Sequence, residues 1–498
     1  MNACILAFDI GTSAVKASLV SSELKVLAEA SSAYQTHFPR PGYVEQNAGD
    51  WWAAAVSAAH MLFEACPDTA GRVSGIGVSG HMIGLLPVDD HGMPLMPAMI
   101  HADNRAMAQM KRVEDEIGLD RIYALTGNAL SPAAPLCKAL WLKQEMPAIY
   151  QKSARFLQSK DYLNFRLTGS MDSTDFSDAS HAMVIDIRKK EYLHDVFAEL
   201  GMDAARFPQL HKSTDVIGFL CPEAAKILGL KPGIPVAAGG GDGACANVGA
   251  GIGASGDVYC SLGTTGWIAC NMDEPYLDPQ RRVFNILSLD GVHSGVFGTV
   301  QCVGRSINWA QKLYAPEGIA EMNRLAEEIL PGSEGLIFLP YLEGERSPIF
   351  DSLARGVFFG IRPDHDRRHF CRAVFEGVAY ALAGIADIMR ERMAIDEMRI
   401  IGGGAKSALW RQIIADTARV NVRGVDASAD AATSIGAAAA AGVAVGMFSG
   451  IDEAARRIAM TDTTSPNPAL RELYADRMDL YQMLYPALKP AFHRESRY

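Results

Sequence analysis

The chain has 498 residues, 49% apolar and 21% charged, with 46 Lys+Arg against 57 Asp+Glu for a formal net charge of −11. These proportions are those of globular proteins and argue against disorder, and the length admits two or three cores. The acidic balance disfavours a nucleic-acid partner, which would need a basic stripe.

Residues 3–9 are almost wholly apolar, which predicts a central strand covered on both faces. The opening lacks a basic region and reaches Asp9 early, so it reads as a strand rather than a signal peptide. After a turn at Gly11-Thr12-Ser13, Val15, Ala17 and Leu19 alternate with Lys16 and Ser18, as in a second strand. Trp52, Val56, Ala59 and Phe63 form a helical stripe that stops at Cys66-Pro67. A short strand at Ile76–Val78 runs into Ser79-Gly80-His81-Met82, and another at Ile234–Ala238 runs into Gly239-Gly240-Gly241-Asp242. Val258–Leu262, the turn Gly263-Thr264-Thr265-Gly266 and Trp267–Cys270 then repeat the opening strand, Gly-Thr turn, strand unit. Phe370, Val374, Gly377, Ala381, Ile385 and Ile388 predict a helix from about Asp366, and Met398–Ile401 a strand before Gly402-Gly403-Gly404. From Ala431 to Ile451 there is no charge, a length that could span a bilayer. Its dominance by Ala and Gly predicts instead a buried helix packed closely on another. The nine cysteines are odd in number and include no C-x-x-C pair, which predicts reduced thiols in the cytoplasm and no zinc site. Strands alternating with amphipathic helices predict an α/β fold in two similar domains, 1–253 and 254–498, each opened by a Gly-Thr hairpin.

Four glycine turns carry candidate chemistry. In Asp9-Ile10-Gly11-Thr12-Ser13, glycine lets backbone N–H groups approach an anion, the hydroxyls of Thr12 and Ser13 add donors, and Asp9 could hold Mg²⁺. An ordinary turn accounts for one such segment. The second copy at Gly263, Thr264 and Thr265 is what suggests two phosphate loops across a cleft. Asp242 is an isolated acid after a strand, with no Lys or Arg between Lys231 and Arg281, so it is either a cap or a base for a substrate hydroxyl. The Gly402 turn admits a flat base or ribose, or is a plain turn. Asp103 and Arg105, near His81, His91 and His101, offer polar groups for a polyol, although scattered surface histidines explain the three imidazoles as well. Gly251-x-Gly253-x-x-Gly256 follows a helical run and precedes a strand, the reverse of a dinucleotide fingerprint.

Taken together, the segments resemble the FGGY carbohydrate kinases, and most closely their xylulokinase branch. The carriers are Asp9-Ile-Gly-Thr-Ser, Lys138-Ala-Leu-Trp141, Lys160-Asp161-Tyr-Leu, Asp175-Phe-Ser-Asp178-Ala-Ser180 and Gly239-Gly-Gly-Asp242. They continue in Ser261-Leu-Gly-Thr-Thr, Gly304-Arg-Ser-Ile-Asn-Trp309, Gly344-Glu-Arg346-Ser-Pro348 and Gly402-Gly-Gly-Ala-Lys-Ser407. The resemblance implies two ribonuclease-H-like domains of the actin/hexokinase ATPase type, closing over ATP, Mg²⁺ and a sugar. It implies Asp242 as catalytic base and Asp9 as the metal-associated acid. Thr12, Ser13, Gly263, Thr264 and Thr265 fall in phosphate loops, and Gly304, Asn308, Gly403, Gly404 and Ala405 fall at the nucleotide. Met82, Asp103 and Arg105, with Asp242, fall in the sugar site.

The implied reaction converts D-xylulose to D-xylulose 5-phosphate. Two departures bear on the sugar. The family's Gln-Met-His-Gly is His81-Met82-Ile83-Gly84 here, and His101 replaces the Trp of W-x-D-x-R, in a segment closer to the gluconokinase branch. Gluconate or another pentulose or polyol is the alternative substrate, and a silent sugar sensor the alternative class. The expected partner is a small sugar, without nucleic acid or membrane, and a homodimer is compatible with the sequence.

Overall fold

The structure is a computed structural model that describes residues 3–426 and 429–495. Strand pairing builds two seven-stranded mixed sheets. The first contains β1 (Cys4–Ile10), β2 (Ala14–Ser21), β3 (Val26–Ala33), β4 (Val73–Gly80), β5 (Val216–Phe219), β6 (Pro235–Ala237) and the two-residue β7 (Gly240–Gly241). Its order is β5-β6-β4-β1-β2-β3, with β7 paired to β4. The second contains β8 (Val258–Leu262), β9 (Gly266–Met272), β10 (Phe284–Leu287), β11 (Ser294–Val300), β12 (Glu397–Ile401), β13 (Asn421–Val425) and β14 (Met460–Thr464). Its order is β10-β11-β9-β8-β12-β13-β14.

The two sheets share one plan. In the first, β1 has β4 and then β6 parallel on one side, and β2 and β3 antiparallel on the other. In the second, β8 has β12 and β13 parallel on one side, and β9 and β11 antiparallel on the other. The repeated Gly-Thr hairpin is therefore the legible part of a whole-sheet repeat. β1 is central and apolar because both its faces are covered: Cys4–Phe8 and Ile10 have no exposed surface.

Nine helices matter for the site: α1 (Ala48–Ala65), α2 (Pro135–Glu145), α3 (Ser159–Thr168), α4 (Phe176–His181), α5 (Asp242–Gly249), α6 (Gly304–Tyr314), α7 (Arg367–Arg390), α8 (Ala408–Ala418) and α9 (Ala429–Ala444). α7 starts at the expected place, where the Asp366 carboxylate caps it by accepting the Arg368 N–H. In α1 the face is rotated in part from the expected one. Of the expected stripe, Trp52 and Ala59 are buried and Val56 and Phe63 half-buried, while Trp51, Ala55, Ala58 and Leu62 beside it are buried as fully as Ala59. The large side chains mark the stripe in sequence, but close packing on β2 and β3 favours the alanines.

Residues 431–444 of the charge-free segment lie in α9, where Ala432 and Ala437–Ala441 have no exposed surface. α9 packs along α5 and reaches onto β1 and β4 of the first sheet. Glycine makes this approach possible: a Cβ at Gly249 would lie 2.6 Å from Ala432 Cα, and one at Gly436 2.7 Å from Cys245 Cα. Among the described residues no helix is long and apolar enough to cross a membrane. All nine cysteines are unpaired.

Candidate active site

Adjacent strand ends bring the candidate acids together. Asp9 pairs in register with Ser79 on β4, which pairs in turn with Gly240 on β7, and Asp242 follows two residues later at the first turn of α5. Asp242 is half-buried, and its Oδ1 accepts the N–H of Gly243 at 2.8 Å. Burial, together with the negative charge of Asp9, pushes its carboxyl up to about 7, against the pull of the Gly243 N–H. Burial likewise pushes Asp9 up to about 6, opposed by Lys16 and by the hydroxyls of Ser79 and Thr433. The Oδ1 of Asp9 is buried without a hydrogen-bond partner. Two proton-hungry carboxylates thus stand side by side at one end of the first sheet, which suits proton abstraction or cation binding.

The second sheet offers a cavity of about 770 Å³ at the corresponding end. Gly263, Thr264, Gly304, Asn308, Gly403 and Gly404 line it, with Trp410 and Phe375. The Gly304 N–H at the start of α6 donates to the Gly263 carbonyl at 2.9 Å, which fastens the hairpin turn to that helix. Ala405 belongs to the short turn Gly403–Lys406 beside it, while Thr265 is half-buried in the hairpin turn. Thr12 and Ser13 stand exposed at the tip of the first hairpin, outside the residues that line the cavity. Gln46 Nε2 holds that tip through the Thr12 carbonyl at 2.8 Å, and the Tyr34 hydroxyl donates to the Gly11 carbonyl.

Met82 sits beside Asp242: a Cβ on Gly241 would lie 2.6 Å from the Met82 side chain. His81 is 2% exposed and stacks edge-on against Trp51 and His101, with ring centroids 5.5 and 6.0 Å away. Burial, His101 and Lys138 push its imidazole down to about 3, so it is neutral at physiological pH. Burial, Lys138 and Arg346 lower His101 too. Asp103 and Arg105 are satisfied within the wall. Arg105 Nη2 bridges Asp103 Oδ2 at 2.6 Å and Glu45 Oε1 at 2.7 Å, and its guanidinium covers Tyr43 at 3.8 Å. Asp103 also accepts the Val44 N–H at 2.7 Å. Their heads are thus paired with each other and with Glu45 rather than standing open.

Two buried lysines, Lys138 and Lys160, brace this region from behind. Lys138 on α2 is fully buried, and its Nζ donates to the carbonyls of Ile83 at 2.8 Å and Ile100 at 2.7 Å, tying together the two segments that carry Met82 and His101. Lys160 on α3 lies among three acids behind Asp242. For Lys138 the available signal was a lysine inside the otherwise apolar run Leu136–Leu142, which must find partners when buried.

Comparison with known proteins places this geometry. Models of the FGGY family of carbohydrate kinases match the chain over residues 4–249 (N-terminal domain) and 258–445 (C-terminal domain). The chain is 34% identical over 490 residues to the xylulose kinase of Bacillus subtilis (strain 168), covering 97% of each chain. It superposes on the crystal structure of xylulose kinase from Rhodospirillum rubrum with a TM-score of 0.91 at 29% identity, covering 98% of this chain and 100% of that one. On gluconate kinase from Lactobacillus acidophilus the TM-score is 0.92 at 26% identity, covering 99% and 100%.

Proposed function

Because the chain belongs to the FGGY family of carbohydrate kinases, we propose that it moves the γ-phosphate of ATP to a primary hydroxyl of D-xylulose, giving D-xylulose 5-phosphate. The observation that carries this reading is the pair of carboxylates, Asp242 and Asp9, at one sheet end, with Met82 packed beside the first of them. Identity to a xylulose kinase over nearly the whole chain supports the sugar.

In this reading Asp242 takes the proton of the attacking hydroxyl. A carboxyl near 7 suits that task, since a base works best when its pKa lies near the operating pH. Met82 gives the sugar an apolar wall, and the wall fixed by Asp103, Arg105 and Lys138 keeps the segments of Met82 and His101 in place. Gly263, Thr264 and Thr265, with Thr12 and Ser13, present N–H and hydroxyl donors to the phosphates. Gly304, Asn308, Gly403, Gly404 and Ala405 hold the nucleoside. Asp9 fits a Mg²⁺ ion, because its buried Oδ1 lacks a partner. Among the described residues no group of three or more His, Cys, Asp and Glu could hold a metal. The remaining ligands would therefore be water and phosphate, as Mg²⁺ prefers. When bound, the ion neutralises charge on the transferred phosphoryl oxygens. We place the division between the two domains near residue 253, supported by the spans of the two family matches, and the enzyme in the cytoplasm.

Gluconate is the second reading, favoured by the segment His101-Ala-Asp-Asn-Arg105, which apart from His101 is closer to the gluconokinase branch, and by the fit to a gluconate kinase fold. A coupled ADP-release assay across D-xylulose, D-ribulose, gluconate, glycerol and D-xylose separates them. The expected outcome is a kcat/KM for D-xylulose at least tenfold above any other. A site built to pair a sugar hydroxyl rejects analogues that leave its polar groups unpaired by far more than that. A higher kcat/KM for gluconate would replace xylulose as the substrate and keep the mechanism.

A further inference from the structure

Behind the Gly239–Asp242 turn lies a group of charges that the reaction as described does not use. Lys160, Asp161, Asp175 and Asp178 are each at most 2% exposed. Lys160 Nζ lies 2.7 Å from Asp161, 3.3 Å from Asp175 and 3.5 Å from Asp178. Burial holds Asp178 well above the ordinary carboxylate range against the pull of Lys160, with Asp175, Asp161 and Asp242 adding to it. Asp175 is the hub. It caps α4 by accepting the N–H groups of Ser177 at 2.9 Å and Asp178 at 3.4 Å. Its Oδ2 also accepts the hydroxyls of Ser177 at 2.6 Å and Ser213 at 2.7 Å. Ser177 Oγ in turn accepts the N–H of Gly241 at 2.9 Å, one residue before Asp242.

A run of three glycines has no side chains to lock it by packing, so its course depends on hydrogen bonds. Asn164 Nδ2 holds the Ala238 carbonyl at 2.9 Å, and the Ser213 carbonyl holds the Gly239 N–H at 3.0 Å. The bond nearest the acid is the one from Gly241 to Ser177.

We propose that Ser177 is the positioning residue for Asp242: its hydroxyl, fixed by Asp175 on one side, fixes the Gly241 peptide on the other and so aims the carboxylate at the substrate hydroxyl. Lys160 and its three acids are the rigid anchor. A donor chain ending on a carboxylate polarises each bond along it, which makes the Ser177 oxygen a better acceptor for the Gly241 N–H. The inference rests on Asp242 acting as the base.

Ser177→Ala removes the acceptor and leaves the Gly241 N–H without it. The expected result is a kcat lowered roughly 10- to 100-fold, the penalty of a misplaced catalytic group, with KM for sugar and ATP within about threefold. Ser213→Ala takes a hydroxyl from the same Asp175 oxygen but keeps the Ser177–Gly241 bond. It should lower Tm about as much as Ser177→Ala while leaving kcat within about twofold, a split that a purely stabilising role of Ser177 would not produce. Equal kcat losses in the two variants, or an unchanged kcat in Ser177→Ala, would overturn the inference. Should Ser177→Ala not fold, Ser177→Cys, which keeps a weak acceptor, is expected to fall between, and a wild-type kcat there overturns it equally. Asp242→Asn tells the two readings apart. If Asp242→Asn stays active, the base assignment falls; if it is inactive while Ser177→Ala keeps the parental kcat, only the positioning role falls.

Discussion

Asp242→Asn is expected to lower kcat for sugar phosphorylation by roughly 10²–10⁴-fold, the usual worth of a general base, while KM for ATP stays within about twofold. The substitution is chosen because it isolates chemistry from structure. An amide oxygen can still accept the Gly243 N–H that Asp242 holds at 2.8 Å, so the start of α5 keeps its geometry. It also removes a carboxylate that burial and Asp9 destabilise, so Tm should be no lower than that of the parent. The pH profile gives a second readout with a definite sign. A base acts as its carboxylate, so kcat/KM falls as pH is lowered through the Asp242 pKa, near about 7 in the protein alone. A cation at Asp9 favours the ionised form and moves this limb to lower pH. Steady-state kinetics from pH 5 to 9 on parent and variant check both: the variant should lose the rate and the acid limb together. A variant with parental kcat would remove Asp242 from the reaction.

Gly436→Ala is expected to destabilise the fold by about 2 kcal/mol or more, the scale of overpacking in a closed core, out of a total of about 5–15 kcal/mol for a domain. Helix propensity alone predicts the opposite sign, since Ala is better than Gly inside a helix by about 1 kcal/mol. The contact decides. A Cβ at Gly436 would lie 2.6 Å from the carbonyl carbon of Cys245 and 2.7 Å from its Cα, against an optimum of roughly 3.5–4.0 Å between carbons. The obstacle is backbone, so no rotamer change relieves it, and α5 and α9 must move apart. Because α5 begins at Asp242, kcat should fall as well. Gly384 in α7 is the control: a Cβ there meets nothing within 4 Å, so Gly384→Ala should be neutral or gain up to about 1 kcal/mol. Thermal unfolding of the two variants checks the sign in each case. Equal shifts would mean that the helix seam is not closed as described.

Local pattern made most of the architecture readable. The apolar run at residues 3–9 and the alternation after Ser13 became β1 and β2 because strand period and burial agree there. The alanine-rich segment became α9 because small residues gain little from lipid and much from a close helix contact. The face of α1 was legible only in part: Trp52 and Ala59 are buried as expected, but packing on a sheet centres the contact on Trp51, Ala55, Ala58 and Leu62 beside them. Within the site, Asp9, Asp242 and the glycine turns were legible because each ends a strand and stands out chemically. The closed pairing of Asp103 with Arg105 and Glu45 was not, because Glu45 lies far from them in sequence and only the tertiary fold unites them. The same holds for Lys160, whose partners Asp175 and Asp178 arrive on a later helix.

The proposed reaction transfers phosphate to a sugar rather than losing it to water. The most direct measurement is the ratio of sugar phosphate formed to ADP released with D-xylulose present, by phosphorus NMR, for the parent and for Asp242→Ala. The account predicts a ratio of about one in the parent, little ADP without sugar because closure over the sugar excludes water, and loss of both products' sugar-dependent formation in Asp242→Ala. Sugar-independent ATP turnover that is unchanged in Asp242→Ala would contradict it.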